Sequence, residues 1–410
     1  MRPFGLLTLF VCFPLAETYA STGLDGAERV ILRSAILGEE RTLAVVTPAS
    51  YGRGNDNYPV LYLTDAEAQM GHLRATVEFL AGNGLMPEMI LVGILNTSRT
   101  RDLTPSRGSA EEHVVFPAAG GGERFLDFIE KELIPAIDAR YRTVPLRVHA
   151  GHSFGGLLAV HALLTRRALF QVVIAASPAL LWDGQLPLRE AQAMAAGAAA
   201  PRALFISLGE HETSPAILEA FEDFARVASA LPWKDFRFDW QVFADEDHGS
   251  VVLRGDYAGL RYAFSGWRFP TPARGMSPSL TAVQAHYRRL SERWGYPVLP
   301  PEALLNGLGY GQLLRGEVGA ALEMFRLNVE LHPDSPNVHD SLGEALERAG
   351  QLHAAVESYR RAVIAAERSG APLVDTFREH LEAALMRVSS APSREEAHAP
   401  QPIEYLRHRL

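Results

Sequence analysis

The chain has 410 residues, 47% of them hydrophobic and 21% charged, with a formal net charge of −9 and a pI near 5.9. This is ordinary globular composition, long enough for one large core and a second unit, and its acidic balance offers no basic face to a nucleic acid. One cysteine, Cys12, excludes a disulfide framework.

At the N-terminus Arg2 is followed by the apolar run "FGLLTLFVCFPLA" and then "ETYA", ending in the small Ala20. A basic start, a short apolar run and a small residue at the cut read as a secretory signal peptide over residues 1–20. The run is short for a bilayer span, and no later stretch reads as transmembrane. Cys12 lies inside this segment, so a chain cut after Ala20 has no thiol and is periplasmic or secreted.

From about residue 27 to 267, strand-like and helix-like stretches alternate. "RVILRSAIL" and "RTLAVVTP" read as a leading antiparallel hairpin turning at "GEE". "PVLYLTD", "MILVGIL", "LRVHAG", "QVVIAAS", "ALFISLG" and "FDWQVFA" are short apolar or β-branched runs ending in turn residues. Between them, "HLRATVEFLAG", "ERFLDFIEKELIPAIDARY", "FGGLLAVHALLTR" and "PAILEAFEDFARVASAL" carry helical apolar spacing. The alternation predicts an α/β fold with a mostly parallel sheet, helices on both faces, and ligand at the carboxyl ends of the strands. Residues 96–122 interrupt the rhythm with a polar, glycine-rich connection, read as part of a substrate mouth or as a solvated insertion.

Beyond "RFPTPARGMSPS" the pattern becomes all-helical over 279–388. Leu308-Gly309 and Leu342-Gly343 are 34 residues apart, as are Ala321 and Ala355, and Phe325 and Tyr359. That period, with small residues where helices cross, predicts tetratricopeptide-like repeats at 302–335 and 336–369, flanked by helices near 279–294 and 373–387. Residues 389–410 read as a frayed tail.

The chemistry centres on "HAGHSFGGLLAV", residues 149–160. Gly-x-Ser-x-Gly is short enough to recur by chance, but here it follows a strand and opens a helix, the context of a nucleophile elbow. Ser153 is therefore the candidate nucleophile, the other reading being a small residue in a tight turn. A serine hydroxyl needs a base, and the chain order of this arrangement is serine, acid, histidine. His248, in "FADEDHGSVV" after the last strand, stands where the base belongs. Glu210 at the end of "ALFISLG" is the preferred acid, with Glu212 two residues on and Asp183 in "LLWDG" as rivals. The oxyanion donors are the backbone N–H groups of Phe154 and of Glu67 or Ala66 after "VLYLTD". No metal-ligand cluster or cofactor motif is present in this reading.

Together "GHSFGG", "YLTDAE", "VGILNTSRTRDLTP", "ASPALLWD" and "EDHGSV" resemble the esterase branch of the α/β-hydrolases, which holds enterochelin-esterase-like proteins, S-formylglutathione hydrolases, feruloyl esterases and mycolyltransferases. The resemblance covers about 25–268. It implies an α/β-hydrolase domain there, a serine esterase acting through an acyl-enzyme on a siderophore-type or other small ester, and Ser153, His248 and Glu210 as its triad. Some relatives dispense with the acid, and "YLTDAE" has Ala66 where many carry glycine. Two alternatives follow: the same triad passing its acyl group to an alcohol, or an interaction protein that binds a protein or peptide through the helical repeats.

Overall fold

The computed structural model describes residues 24–52, 54–194, 202–212, 214–270 and 278–390. The expected signal segment and most of the expected tail lie outside them. The chain divides into two compact units between Arg268 and Phe269.

The first unit is built on one eight-stranded sheet. In chain order its strands are β1 (Glu28–Ser34), β2 (Glu39–Val46), β3 (Tyr58–Leu63), β4 (Ile90–Ile94), β5 (Thr143–His152), β6 (Val172–Ala176), β7 (Ala203–Gly209) and β8 (Arg237–Phe243). Their spatial order is β1-β2-β4-β3-β5-β6-β7-β8. β2 is antiparallel to both neighbours, and every pair from β4 to β8 is parallel. The apolar runs of β3, β6 and β7 are buried throughout, as a parallel sheet covered on both faces requires.

Nine helices belong to this unit among the described residues: α1 (Ala66–Gly82), α2 (Arg99–Leu103), α3 (Ala110–Val115), α4 (Gly122–Phe128), α5 (Ile134–Arg140), α6 (Phe154–Thr165), α7 (Trp182–Gln192), α8 (Pro215–Ser229) and α9 (Val251–Ala263). A single π turn joins α4 to α5. The sequence "FGGLLAVHALLT" of α6 is apolar nearly all round, and the helix is accordingly buried along almost its whole length. The core on its side of the sheet draws on α4 to α8, while α1 and α9 pack together on the other side. There Gly93 lets α1 approach, since a Cβ would lie 2.7 Å from that of Ala66. The polar connection 96–122 is not structureless. It forms α2 and α3, and α3 opens on a capping box in which Ser109 and Glu112 satisfy each other's backbone N–H.

The second unit holds six helices: α10 (Leu280–Trp294), α11 (Glu302–Leu314), α12 (Val318–Leu331), α13 (Pro336–Arg348), α14 (Leu352–Ser369) and α15 (Val374–Ser390). Gly309 of α11 lies under the Phe325 ring of α12, and Gly343 of α13 under the Tyr359 ring of α14. In both pairs an added Cβ would come within 2.6 Å of the ring. The turns repeat as well, with left-handed Gly316 after α11 and left-handed Gly350 after α13. Ala321 and Ala355 are both fully buried in the shared core.

Candidate active site

Strand β5 delivers Ser153 to the carboxyl edge of the sheet, and α6 starts at the next residue. Ser153 has φ 57° and ψ −116°, a conformation that L side chains rarely adopt. The turn closes because its neighbours have no side chain. A Cβ on Gly151 would strike the Gly155 carbonyl, and one on Gly155 would strike Thr64 Oγ1. The serine N–H donates to Ala176 O at 3.0 Å, tying the elbow to β6.

His248 lies in the turn between β8 and α9, 51% exposed. Asp247 folds that turn, its Oδ1 accepting from the N–H groups of Gly249 and Ser250 at 2.9 and 2.8 Å. His152, the residue before the serine, grips the turn from the other side. Its Nε2 donates to the His248 carbonyl at 2.7 Å, and the two rings are 4.6 Å apart. Burial, with His248 alongside, pushes the His152 ring down to about 4, so it stays neutral. The base candidate thus sits beside the elbow.

The carboxylate on that imidazole is Glu212, not the expected Glu210. Glu212 Oε2 accepts from His248 Nδ1 at 2.6 Å, and Oε1 accepts from Gly209 N–H at 2.7 Å and from Ser177 Oγ. Burial alone would raise its carboxyl, but the bonds from His248, Ser177 and the Gly209 N–H outweigh it and hold it below the ordinary value. Glu210 turns away and accepts from Asp245 N–H at 3.2 Å. The two glutamates belong to one turn of 3₁₀ helix, Glu210–Glu212. Positions two apart there point about 120° apart, so only one faces the histidine. Nothing local in "GEHE" says which. Asp183 faces Arg189 at 3.9 Å instead. His161, buried in α6, bridges Glu123 and Glu190 at 2.5 and 2.7 Å, as a packed residue.

The two expected oxyanion arms are helix starts. Phe154 is the first residue of α6, and Ala66 and Glu67 open α1. First-turn N–H groups have no acceptor within their own helix, and the helix dipole favours negative charge there. The Glu67 carboxylate points elsewhere, accepting from Asn96 N–H at 2.7 Å. Beneath the elbow, Phe154 packs edge-on against Phe116 at 5.3 Å and Trp182 at 5.2 Å. Phe116 follows α3 directly, so through this ring the connection 96–122 touches the elbow.

Residues 34–229 match the family model described as "Putative esterase". The siderophore triacetylfusarinine C esterase of Aspergillus fumigatus is 32% identical over 252 residues, 53% of this chain and 85% of that protein. The chain belongs to this esterase family. The ferri-bacillibactin esterase of Bacillus subtilis is 31% identical over 232 residues, 50% of this esterase and 78% of its relative. Among solved structures, an IroE-like serine hydrolase from Shewanella oneidensis superposes with a TM-score of 0.63 at 30% identity, covering 74% of this esterase and 99% of that chain. The protein is a carboxylic ester hydrolase of α/β-hydrolase fold followed by an all-helical region. No helix among the described residues is long and apolar enough to cross a membrane.

Proposed function

We propose that the esterase cleaves a siderophore-type ester through an acyl-enzyme on Ser153, with His248 as base and Glu212 as orienting acid. The observation that carries this reading is the seating of His248. Its Nδ1 is held by Glu212 and its carbonyl by His152, one residue from the serine. With Nδ1–H donating to the Glu212 carboxylate, Nε2 keeps the lone pair that takes a proton. Ser153 Oγ attacks the ester carbonyl carbon as its proton passes to Nε2. The oxyanion draws on the N–H groups of Phe154 and Glu67. Collapse breaks the C–O bond, and Nε2 returns the proton to the departing alcohol. Water repeats the sequence in reverse and frees the acid. An alcohol in place of water makes the same intermediate an acyl donor.

The substrate class is supported by the names of the relatives, both of which act on siderophores. The test is a turnover panel of siderophore lactones, feruloyl esters, acylated sugars and short p-nitrophenyl esters, with Ser153→Ala as control and an added alcohol to reveal transfer. Turnover of siderophore esters by the wild type and not the variant supports the reading; equal turnover by both sinks it. We read 1–20 as a removed secretory signal, which places the mature enzyme outside the cytoplasm with a start near Ser21.

For the helical region we propose two tetratricopeptide-like repeats that engage a protein or peptide. The repeated glycine-under-ring packing supports the repeats. A cleft of about 490 Å³ lined by Asp340, Glu344, Glu347, Tyr359, His380 and Arg387 supports the second part. Loss of a cellular phenotype on changing this cleft, with ester turnover intact, is the expected result.

A further inference from the structure

We propose that Ser177 is a positioning residue that ties the acid of the triad to the turn holding the nucleophile. The inference rests on the proposed reading of Ser153, His248 and Glu212 as that triad.

Ser177 is the first residue after β6. It is 3% exposed and has φ 42° without being glycine. Such a backbone persists only where the surroundings enforce it. Here both its polar groups reach the next strand along. Its N–H donates to Ser207 O of β7 at 2.7 Å, and its hydroxyl donates to Glu212 Oε1, just beyond β7. The residues on either side of it hold the elbow. Ala176 O accepts from Ser153 N–H at 3.0 Å, and Ala179 N–H donates to Ser153 O at 3.3 Å. Pro178 lies against α6, since a Cβ on Gly156 would come 3.1 Å from its Cα. The stretch 176–179 therefore grips the nucleophile by its backbone and the acid by its carboxylate.

The Gly209 N–H, which also meets Oε1, at 2.7 Å, is a local anchor. It lies three residues before the acid on the same strand end and moves with it. It fixes the side chain on its own turn but not the distance from the acid to the serine. Ser177 comes from the neighbouring strand, the one bound to Ser153, and supplies that distance. The last torsion of a glutamate is broad, so a carboxylate held by one local donor can swing. A second donor from a different strand removes that freedom and leaves Oε2 for His248 Nδ1. The Glu212 side chain is 13% exposed, so little water is at hand to replace a missing donor. A second buried hydroxyl nearby, Ser207, faces α9 instead, where a Cβ on Gly255 would strike its Oγ. Ser177 thus acts through Glu212 and on the proton transfer, not on the binding of the ester.

The test is a double-mutant cycle on any ester the enzyme turns over. Ser177→Ala removes the hydroxyl and keeps the Cβ. It is expected to lose roughly 5- to 50-fold in kcat, with KM changed by less than about threefold. In a Glu212→Ala background the same change should cost less than about twofold, because Ser177 then has nothing to act through. Ser177→Gly relieves the left-handed backbone, so its thermal midpoint should lie above that of Ser177→Ala while its kcat drops as far. Ser207→Ala, which also deletes a buried hydroxyl, should keep kcat within about twofold of wild type. A wild-type kcat in Ser177→Ala, a loss in KM alone, losses that multiply in the double variant, or an equal loss in Ser207→Ala overturns the inference. The reading beneath it fails separately, if Glu212→Ala itself keeps its activity.

Discussion

Glu212 Oε2 and His248 Nδ1 meet at 2.6 Å from the ends of adjacent parallel strands, and the carboxylate's other oxygen is already committed to Gly209 N–H and Ser177. The carboxylate is thus anchored through one oxygen while the other meets the imidazole. Gly209 permits the approach, because a Cβ there would lie 2.6 Å from the Glu246 carbonyl and 2.8 Å from that of Asp247.

Glu212→Gln is expected to cost kcat heavily, because an amide stabilises the wrong imidazole tautomer; in serine proteases the comparable change costs about 10⁴. Glu210→Gln should stay within about threefold, and the double variant should match Glu212→Gln alone. Steady-state kinetics on one ester decides it. A large loss only at Glu210 reverses the assignment.

Ser153→Ala should lower kcat by roughly 10³- to 10⁶-fold and abolish labelling by a fluorophosphonate probe. Alanine keeps a Cβ in the strained turn, so the thermal midpoint should hardly move. Ser153→Gly relieves the strain and should stabilise the fold by about 1–2 kcal/mol. Calorimetry of the pair separates the turn's cost from the hydroxyl's chemistry.

Stability should fall in acid through two buried rings. Burial pushes His149 down to about 3 and His152 down to about 4, from an ordinary value of 6.5. Between those values and 6.5 the unfolded chain binds protons that the folded chain refuses. The stabilisation is therefore complete above pH 6.5 and is lost as pH drops toward 4, on the order of 3 kcal/mol or more per ring. Both nitrogens of His149 lack a hydrogen-bond partner, and its ring lies 4.7 Å from Phe170. His149→Phe should therefore be tolerated at neutral pH and should flatten the acid limb in urea titrations. An unchanged acid limb would rule His149 out.

Two glycines should differ in kind. An added Cβ on Gly151 meets backbone that cannot retreat, so Gly151→Ala should prevent folding of the first unit. At Gly343 it meets the Tyr359 ring, which can shift, and Gly343→Ala should cost about 1–3 kcal/mol in the helical unit alone. Circular-dichroism melts of both variants test this. Equal losses would contradict it.

All eight strands were readable: β3, β4, β6 and β7 as apolar runs, because burial on both faces leaves little room for polar side chains, and the largely exposed edge strands β1 and β8 by their β-branched and aromatic residues. Their spatial order was not, since nothing in the β2 sequence announces that it pairs with β4. The elbow and the histidine were legible because backbone geometry dictates their neighbours. Which glutamate meets His248 was not, because the facing of a single 3₁₀ turn depends on where the His248 turn comes to rest. Helix α7 went unread because Gly184 and Pro187 disguise it, with three left-handed residues near its start. The helix α3 had a readable start in "SAEE" that the glycine-rich surroundings obscured. The Ser177–Glu212 bond, formed across two strand ends, had no local signature.

The order in which the parts appear along the chain has a consequence for a protein still being made. Serine 153 emerges from the ribosome 95 residues ahead of His248. At about 5–20 residues per second, that is an interval of roughly 5 to 20 s. The elbow gains its imidazole only after β8 has joined the edge of the sheet beside β7. On the proposed reading, the nascent polypeptide until then carries Ser153 as an ordinary alcohol, and its reactivity toward esters arrives with the turn that follows β8.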